Sequence, residues 1–323
     1  MKSIWLLTCG VLLAGIVSAQ EINFSRVQDM AIWYNQSLKT DKQNGLKLNY
    51  RNVQYGGQIA YNSISAMVDM PILSRAKKEA PNSGGYFSAS AGAASDKSNQ
   101  GILNNTLGLL GVSYAVPISK NETYAAIGFQ GVYYRSNLNI NGGSFFGDQY
   151  DKYGPVDGMA SADRFASGWS YGYFNLNAGI SVFNNSAFNK WYVGASVMHI
   201  NKPFTDQAKS KEFRLPQAWG VQGGYKFATG IDDDECGFYA AMNWQGRAYK
   251  HFFNGTYSTP IKQMPGTAVG LGLGYRYEDA LVPNIELRYM KLILGICYDI
   301  NISGISASGI KRNGLELAVR LDF

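Results

Sequence analysis

The chain has 323 residues, 16% of them charged and 46% hydrophobic, with a formal net charge of +6. So little charge beside 14% aromatic residues excludes a disordered chain. Two His make a His-rich metal centre or a His relay a poor starting point, while 22 Tyr and 37 Gly favour many strands joined by turns.

Residues 1–19 read as a secretory signal peptide. Met1-Lys2 is basic, Ile4 to Val17 is apolar, and Val17-Ser18-Ala19 is a small-residue cleavage site before Gln20. Its removal leaves Cys236 and Cys297, too few for a disulfide framework. The basic residues are scattered, so nucleic acid is not an indicated partner. No later apolar run reaches the ~18 residues of a spanning helix. An exported chain of this kind is either soluble or an outer-membrane barrel. Period decides, because barrel strands of about 10 residues alternate apolar-out with polar-in.

Residues 20–44 carry no strand pattern and read as a periplasmic N-terminal segment. Candidate strands then follow near 45–53, 58–70, 84–95, 105–117, 122–136, 171–184 and 190–199. They continue near 217–227, 236–247, 250–260, 265–277, 281–290, 292–302 and 313–323. In the sixth, Phe174, Leu176, Ala178, Ile180 and Val182 alternate with Asn175, Asn177, Gly179 and Ser181. Gly on an inner face lets the wall curve or a neighbouring backbone approach. In the last, Leu315, Leu317, Val319, Leu321 and Phe323 alternate with Glu316, Ala318, Arg320 and Asp322. Outer-membrane barrels resemble this in ending on an aromatic, so Leu317, Val319, Leu321 and Phe323 are the expected assembly signal. No interior helix pattern and no repeat stands out.

The expected fold is all-β, a transmembrane antiparallel β-barrel of about 14 strands over residues 45–323, in the lipid of a bacterial outer membrane. With both termini periplasmic, the connections after odd-numbered strands face outward. The two longest, about 137–170 and 200–216, obey that parity.

Chemistry is sparse. Ser196, His199 and Asn201 lie close in sequence, but an undisturbed strand points Ser196 and His199 oppositely. The acidic run Asp232-Asp233-Asp234-Glu235 lacks the Gly and spacing of a calcium loop. Gly270, Gly272 and Gly274 sit among alternating apolar residues rather than before a helix, so no phosphate cradle is expected. No catalytic, cofactor-binding or metal-binding residues are assigned. What remains is recognition. The long outer loop carries Phe145, Phe146, Asp148, Tyr150 and Tyr153, with Trp169 at its end. Such aromatics suit either an interface core or a plug folded into the chain's own lumen.

Further motifs run in order along the chain. Gln20-Glu21-Ile22-Asn23-Phe24-Ser25 is followed by Tyr34-Asn35-Gln36-Ser37, and then by Tyr50-Arg51-Asn52-Val53-Gln54-Tyr55. Val112-Ser113-Tyr114-Ala115-Val116-Pro117, Phe146-Gly147-Asp148-Gln149-Tyr150-Asp151 and His199-Ile200-Asn201-Lys202-Pro203 come later. Together they resemble the PorP/SprF family of outer-membrane proteins. The family's usual Pro is missing after Asn35 and near the start, where Ile22 stands. The resemblance makes Phe24, Ser25, Tyr34 and Asn35 motif residues of the N-terminal segment. It implies a non-enzymatic part in the type IX secretion system and gliding machinery. The implied partners are other secretion or gliding proteins, or the C-terminal domains of secreted cargo. A channel or hydrophobic-solute transporter of the same architecture is the alternative.

Overall fold

The computed structural model describes residues 24–56, 58–72, 84–98, 101–119, 122–139, 147–156, 159–162, 168–186, 189–205, 214–230, 233–304 and 312–323. The expected signal peptide and Phe145 and Phe146 lie outside the described residues.

The strands are β1 (Gly45–Tyr55), β2 (Gln58–Ile72), β3 (Tyr86–Ser98), β4 (Leu103–Ser119), β5 (Thr123–Leu138), β6 (Tyr150–Asp151), β7 (Gly154–Pro155) and β8 (Trp169–Asn185). They continue with β9 (Asn189–Met198), β10 (Ala218–Ala228), β11 (Glu235–Gln245), β12 (Ala248–Pro260), β13 (Thr267–Arg276), β14 (Ala280–Tyr289), β15 (Leu292–Asn301) and β16 (Arg312–Asp322). The two-residue strands β6 and β7 form a small hairpin in the longest loop. The other fourteen form one closed antiparallel barrel in chain order, with β16 paired to β1. All fourteen coincide with the alternating segments of the sequence.

Alternation explains the wall. Along β16, Leu315, Leu317 and Leu321 stand about 40% exposed on the outside, while Glu316 between them is 1% exposed. On β4, Leu110 and Val112 face out and Ser113 faces in. A soluble sandwich would bury the apolar set instead. A continuous apolar exterior around a polar interior is the pattern of a wall set in lipid. Closure leaves no unpaired edge, as a bilayer requires. At the seam Leu46 pairs with Leu321 and Leu48 with Val319. The Phe323 N–H donates to the Asn44 carbonyl at 3.0 Å.

The N-terminal segment departs from expectation. Rather than standing apart from the barrel, its residues from Phe24 to Lys39 run inside it, most of them buried. Helix α1 (Val27–Tyr34) crosses the lumen. Val27 packs with Ala241, Phe252, Ala280, Val282 and Cys297 of β11, β12, β14 and β15. Ile32 packs with Met67, Leu109 and Val132 of β2, β4 and β5. These two groups sit on different sides of a closed ring, so the helix bridges it. The reason is burial. Met30, Ile32 and Leu38 would be wet in the periplasm, whereas the lumen removes them from water.

Candidate functional site: the plugged lumen and its outer face

The first anchor of the plug is ionic. Glu316 of β16 accepts the Ser25 N–H at 2.6 Å and the Arg26 N–H at 3.3 Å. The helix has no side-chain N-cap of its own, so a wall carboxylate receives the amides leading into it. Negative charge there also suits the helix dipole. The Ser25 hydroxyl donates to Asp299 at 3.1 Å. Arg26, 2% exposed, pairs with Asp29 one helical turn on and with Glu286 of β14 at 2.6 Å. Burial alone would raise the Asp29 carboxyl, but Arg26 overcomes it and holds the group below the usual carboxylate range. Arg51 of β1 and Arg276 of β13 meet Asp299 of β15, each from the strand next but one.

The second anchor is made by close approach. Gly128 of β5 and Gly179 of β8 are register partners on the inner wall. A Cβ on Gly128 would lie 2.6 Å from the Ser37 backbone nitrogen, and one on Gly179 would overlap the Asn35 carboxamide. Their absence lets the turn Gln36–Leu38 lie directly on the sheet. Asn35 then donates to the Ala195 carbonyl at 3.2 Å and to Gln222 at 3.1 Å. Its own oxygen accepts the Ser37 N–H and hydroxyl at 3.1 and 2.6 Å. Ser181 donates to the Ser37 carbonyl, and Ser90 to Gln36.

From Leu38 the chain runs to β1 at the barrel end where Phe323 meets Asn44. Lys39 pairs with Asp41 at 2.6 Å and also with Asp69; Asp41 meets Arg320 at 3.3 Å. Burial raises the Asp41 carboxyl, but Lys39, Arg320 and Lys47 bring it down to about 2.

All four motif residues thus meet in the plug. Ser25 and Asn35 are its anchors, while Phe24 and Tyr34 face outward. They line two adjoining cavities toward the outer strand ends. One, of about 70 Å³, is an apolar slot between Trp33, Leu107, Val132, Tyr134, Tyr173 and Met198. The other, of about 370 Å³, is a basin ringed by Arg51, Tyr55, Tyr61, Asn243, Arg276 and Arg312.

The long loop supplies a separate surface. Asp148 accepts the Ser161 hydroxyl at 2.7 Å and the Ala162 N–H at 2.6 Å, and these bonds hold its exposed carboxyl below the usual range. They brace the β6–β7 hairpin, where Tyr150 and Tyr153 are exposed, the latter by 84%. Trp169 is not in that hairpin: it opens β8, paired with Leu138.

Ser196 accepts from Gln222 within the plug's network. His199 sits just past the end of β9 with φ 58°, buried beside the slot. The break after Met198 turns it from the direction an unbroken strand would give. Among the described residues no group of three or more His, Cys, Asp or Glu is placed to hold a metal ion. Sequence reasoning missed Arg26, Asp29, Gln36 and the wall groups Glu286 and Asp299. Arg and Glu on inner faces were the available signal.

The family model for the type IX secretion system membrane protein PorP/SprF matches residues 37–319. No curated protein matches the sequence. Among solved structures, a monoaromatic hydrocarbon channel, CymD, is 10% identical with a TM-score of 0.51, covering 96% of this chain and 95% of its own. The Pseudomonas putida toluene transporter TodX is 6% identical with a TM-score of 0.49, covering 94% of each chain. The KdgM porin is 9% identical with a TM-score of 0.35, over 86% of this chain and 99% of its own. At such identities the likeness is one of fold alone. The chain belongs to the PorP/SprF family of type IX secretion system membrane proteins and is an outer-membrane β-barrel.

Proposed function

We propose that this member of the family is a closed, non-enzymatic docking barrel, which holds a secreted protein or another secretion or gliding component at the outer face. The observation that carries the reading is the plug. An open channel needs a continuous water path, whereas here α1 bridges the lumen and is tied to both sides. A rigid closed barrel instead presents fixed surfaces, and preorganised surfaces bind with less ordering cost. The outer loop around Asp148, Tyr150 and Tyr153 is one such surface, with Phe145 and Phe146 beside it in sequence.

The test is a paired one on the purified protein. Capture from native outer membranes, read by mass spectrometry, is expected to recover type IX secretion components or secreted cargo. Single-channel recording of the same preparation is expected to show little conductance. Phe145→Ala with Phe146→Ala is expected to weaken capture, since hot-spot aromatics cost about 2 kcal/mol or more on truncation. High conductance in the wild-type protein with no captured partner would turn the reading to a channel or hydrophobic-solute transporter.

A further inference from the structure

We infer that the outside of the barrel wall holds a lipid in place: a phosphorylated glycolipid of the outer leaflet, with acyl chain in a trough across β2, β3, β4, β5 and β8 and phosphate against Lys97 and Arg135. The site lies apart from the plug and from the long loop, and it goes beyond the docking reading.

The trough follows from side-chain size. On the outward face, register sets Ala66, Ala93 and Gly108 side by side, and in the next row Ala91 and Gly131 flank Leu110. Small residues on adjacent strands hollow the wall, and the larger side chains around them raise its rim. Two overlapping hollows of about 740 and 900 Å³ result, lined almost wholly by apolar atoms. A Cβ on Gly108 would meet nothing within 4 Å, so the floor is open there. On a lipid-facing wall, acyl chain is what fills such a hollow.

Charge selects which lipid. Of the charged side chains on the barrel strands, Lys97 of β3 and Arg135 of β5 alone point outward; alternation turns the others to the lumen. Both are exposed, and they flank the same strand. Lys97 is the register partner of Asn104 on β4, and Arg135 of Thr106. Thr106 and Asn104 lie two and four residues from Gly108, so the cations stand about 7 and 13 Å along the strands from that row of the trough. The outward face turns polar there, and Ser95 donates to Asn104 at 3.2 Å. This is the end that carries the long loop between β5 and β8, the outer end of such barrels. Arg135 donates to Ser170 at 3.0 Å, and among the described residues neither cation is paired with a carboxylate. A cation on a lipid-facing wall is costly, least so near the interface. At headgroup level a phosphate supplies the missing anion, with Arg and Lys as its strongest partners. A second copy seated here about a twofold axis would instead bring these cations toward their own counterparts.

The experiment titrates the full mature chain in detergent with diphosphoryl lipid A and reads the complexes by native mass spectrometry. The comparison lipid is the same molecule with its phosphates removed. The wild type is expected to retain lipid A and to bind the dephosphorylated lipid about twenty-five-fold more weakly, since each basic residue near an anionic headgroup contributes about fivefold. Lys97→Gln and Arg135→Gln are each expected to weaken lipid A about fivefold, and the double variant about twenty-five-fold. Gly108→Leu fills the floor of the trough and is expected to weaken it about fourfold for each methylene displaced. Heat-modifiable gel mobility checks that each variant has assembled, and if Gly108→Leu has not, Ala93→Leu fills the same floor. Wild-type affinity in the double variant overturns the site, because the headgroup then makes no contact with the cations. Wild-type affinity in the filled trough overturns it as well, because an anion patch without acyl chain is then all that remains. A lipid-free dimer that Gly108→Leu breaks would assign the trough to a second copy and likewise overturn the proposal.

Discussion

The two ends of the plug are held by opposite means. At Ser25 to Asp29 the contacts are charges: a buried guanidinium, two carboxylates around it, and a third carboxylate on the incoming amides. At Asn35 to Leu38 the contacts are shape and neutral hydrogen bonds, a turn lying on a wall stripped of side chains at Gly128 and Gly179. Charge tolerates small displacements but fails badly when one partner is removed. Close packing has no charge to lose, and it fails when volume is added. A segment held in both ways is fixed in position at one end and in orientation at the other.

The comparison is broken most sharply at the ionic end. Arg26→Ala leaves Asp29 without its guanidinium and Glu286 with Arg288 alone, and such a removal costs about 3–5 kcal/mol. The heat-modifiable transition in detergent is expected to fall and single-channel conductance to rise. If neither moves, charge is not what holds that end. At the packed end, Gly128→Val drives a side chain into the Ser37 backbone; overpacking costs about 1–3 kcal/mol. The same two readouts should shift less, and high salt should leave this defect as it is.

A third test is acid. Asp41 is held at about 2 in the folded chain, below the ordinary carboxylate value. Its lowered value therefore stabilises the fold above about pH 4, and that contribution is lost as pH falls toward 2. The thermal transition is expected to drop over that window in the wild type and less so in Asp41→Asn. The smallest effect is expected from Leu321→Lys, on the outer surface near the chain end, where a lysine costs about 0–1 kcal/mol. It touches neither anchor, so conductance should stay low even where the amount assembled in the membrane falls. Raised conductance here would mean that the seam, rather than the plug, seals the lumen.

The wall was legible because its period is written in single residues. Leu315, Leu317 and Leu321 against Glu316 and Ala318 give the facing of β16, and Gly179 among Asn175, Asn177 and Ser181 signals a close neighbour. What approaches Gly179 was not legible. Helix α1 has only eight residues, and Val27, Asp29, Met30, Ala31 and Ile32 are all buried. A helix enclosed on every side shows no apolar stripe, so periodicity had nothing to detect. The motif resemblance marked Phe24, Ser25, Tyr34 and Asn35 without saying what they touch. Their partners, such as Glu316 and Gln222, lie 291 and 187 positions away, and no local pattern links them.

The bond from Ser25 to Glu316 joins residues 291 positions apart. The ribosome makes the first of them at the start and the second at the end. Until β16 arrives, the amides ahead of α1 have no carboxylate to meet, and the ring itself stays open. Contacts so distant along the chain form late and slowly. Sealing the wall and bringing Glu316 to the amides ahead of α1 are thus one event, so a polypeptide without its last strand is at once unclosed and short of one hold on its plug.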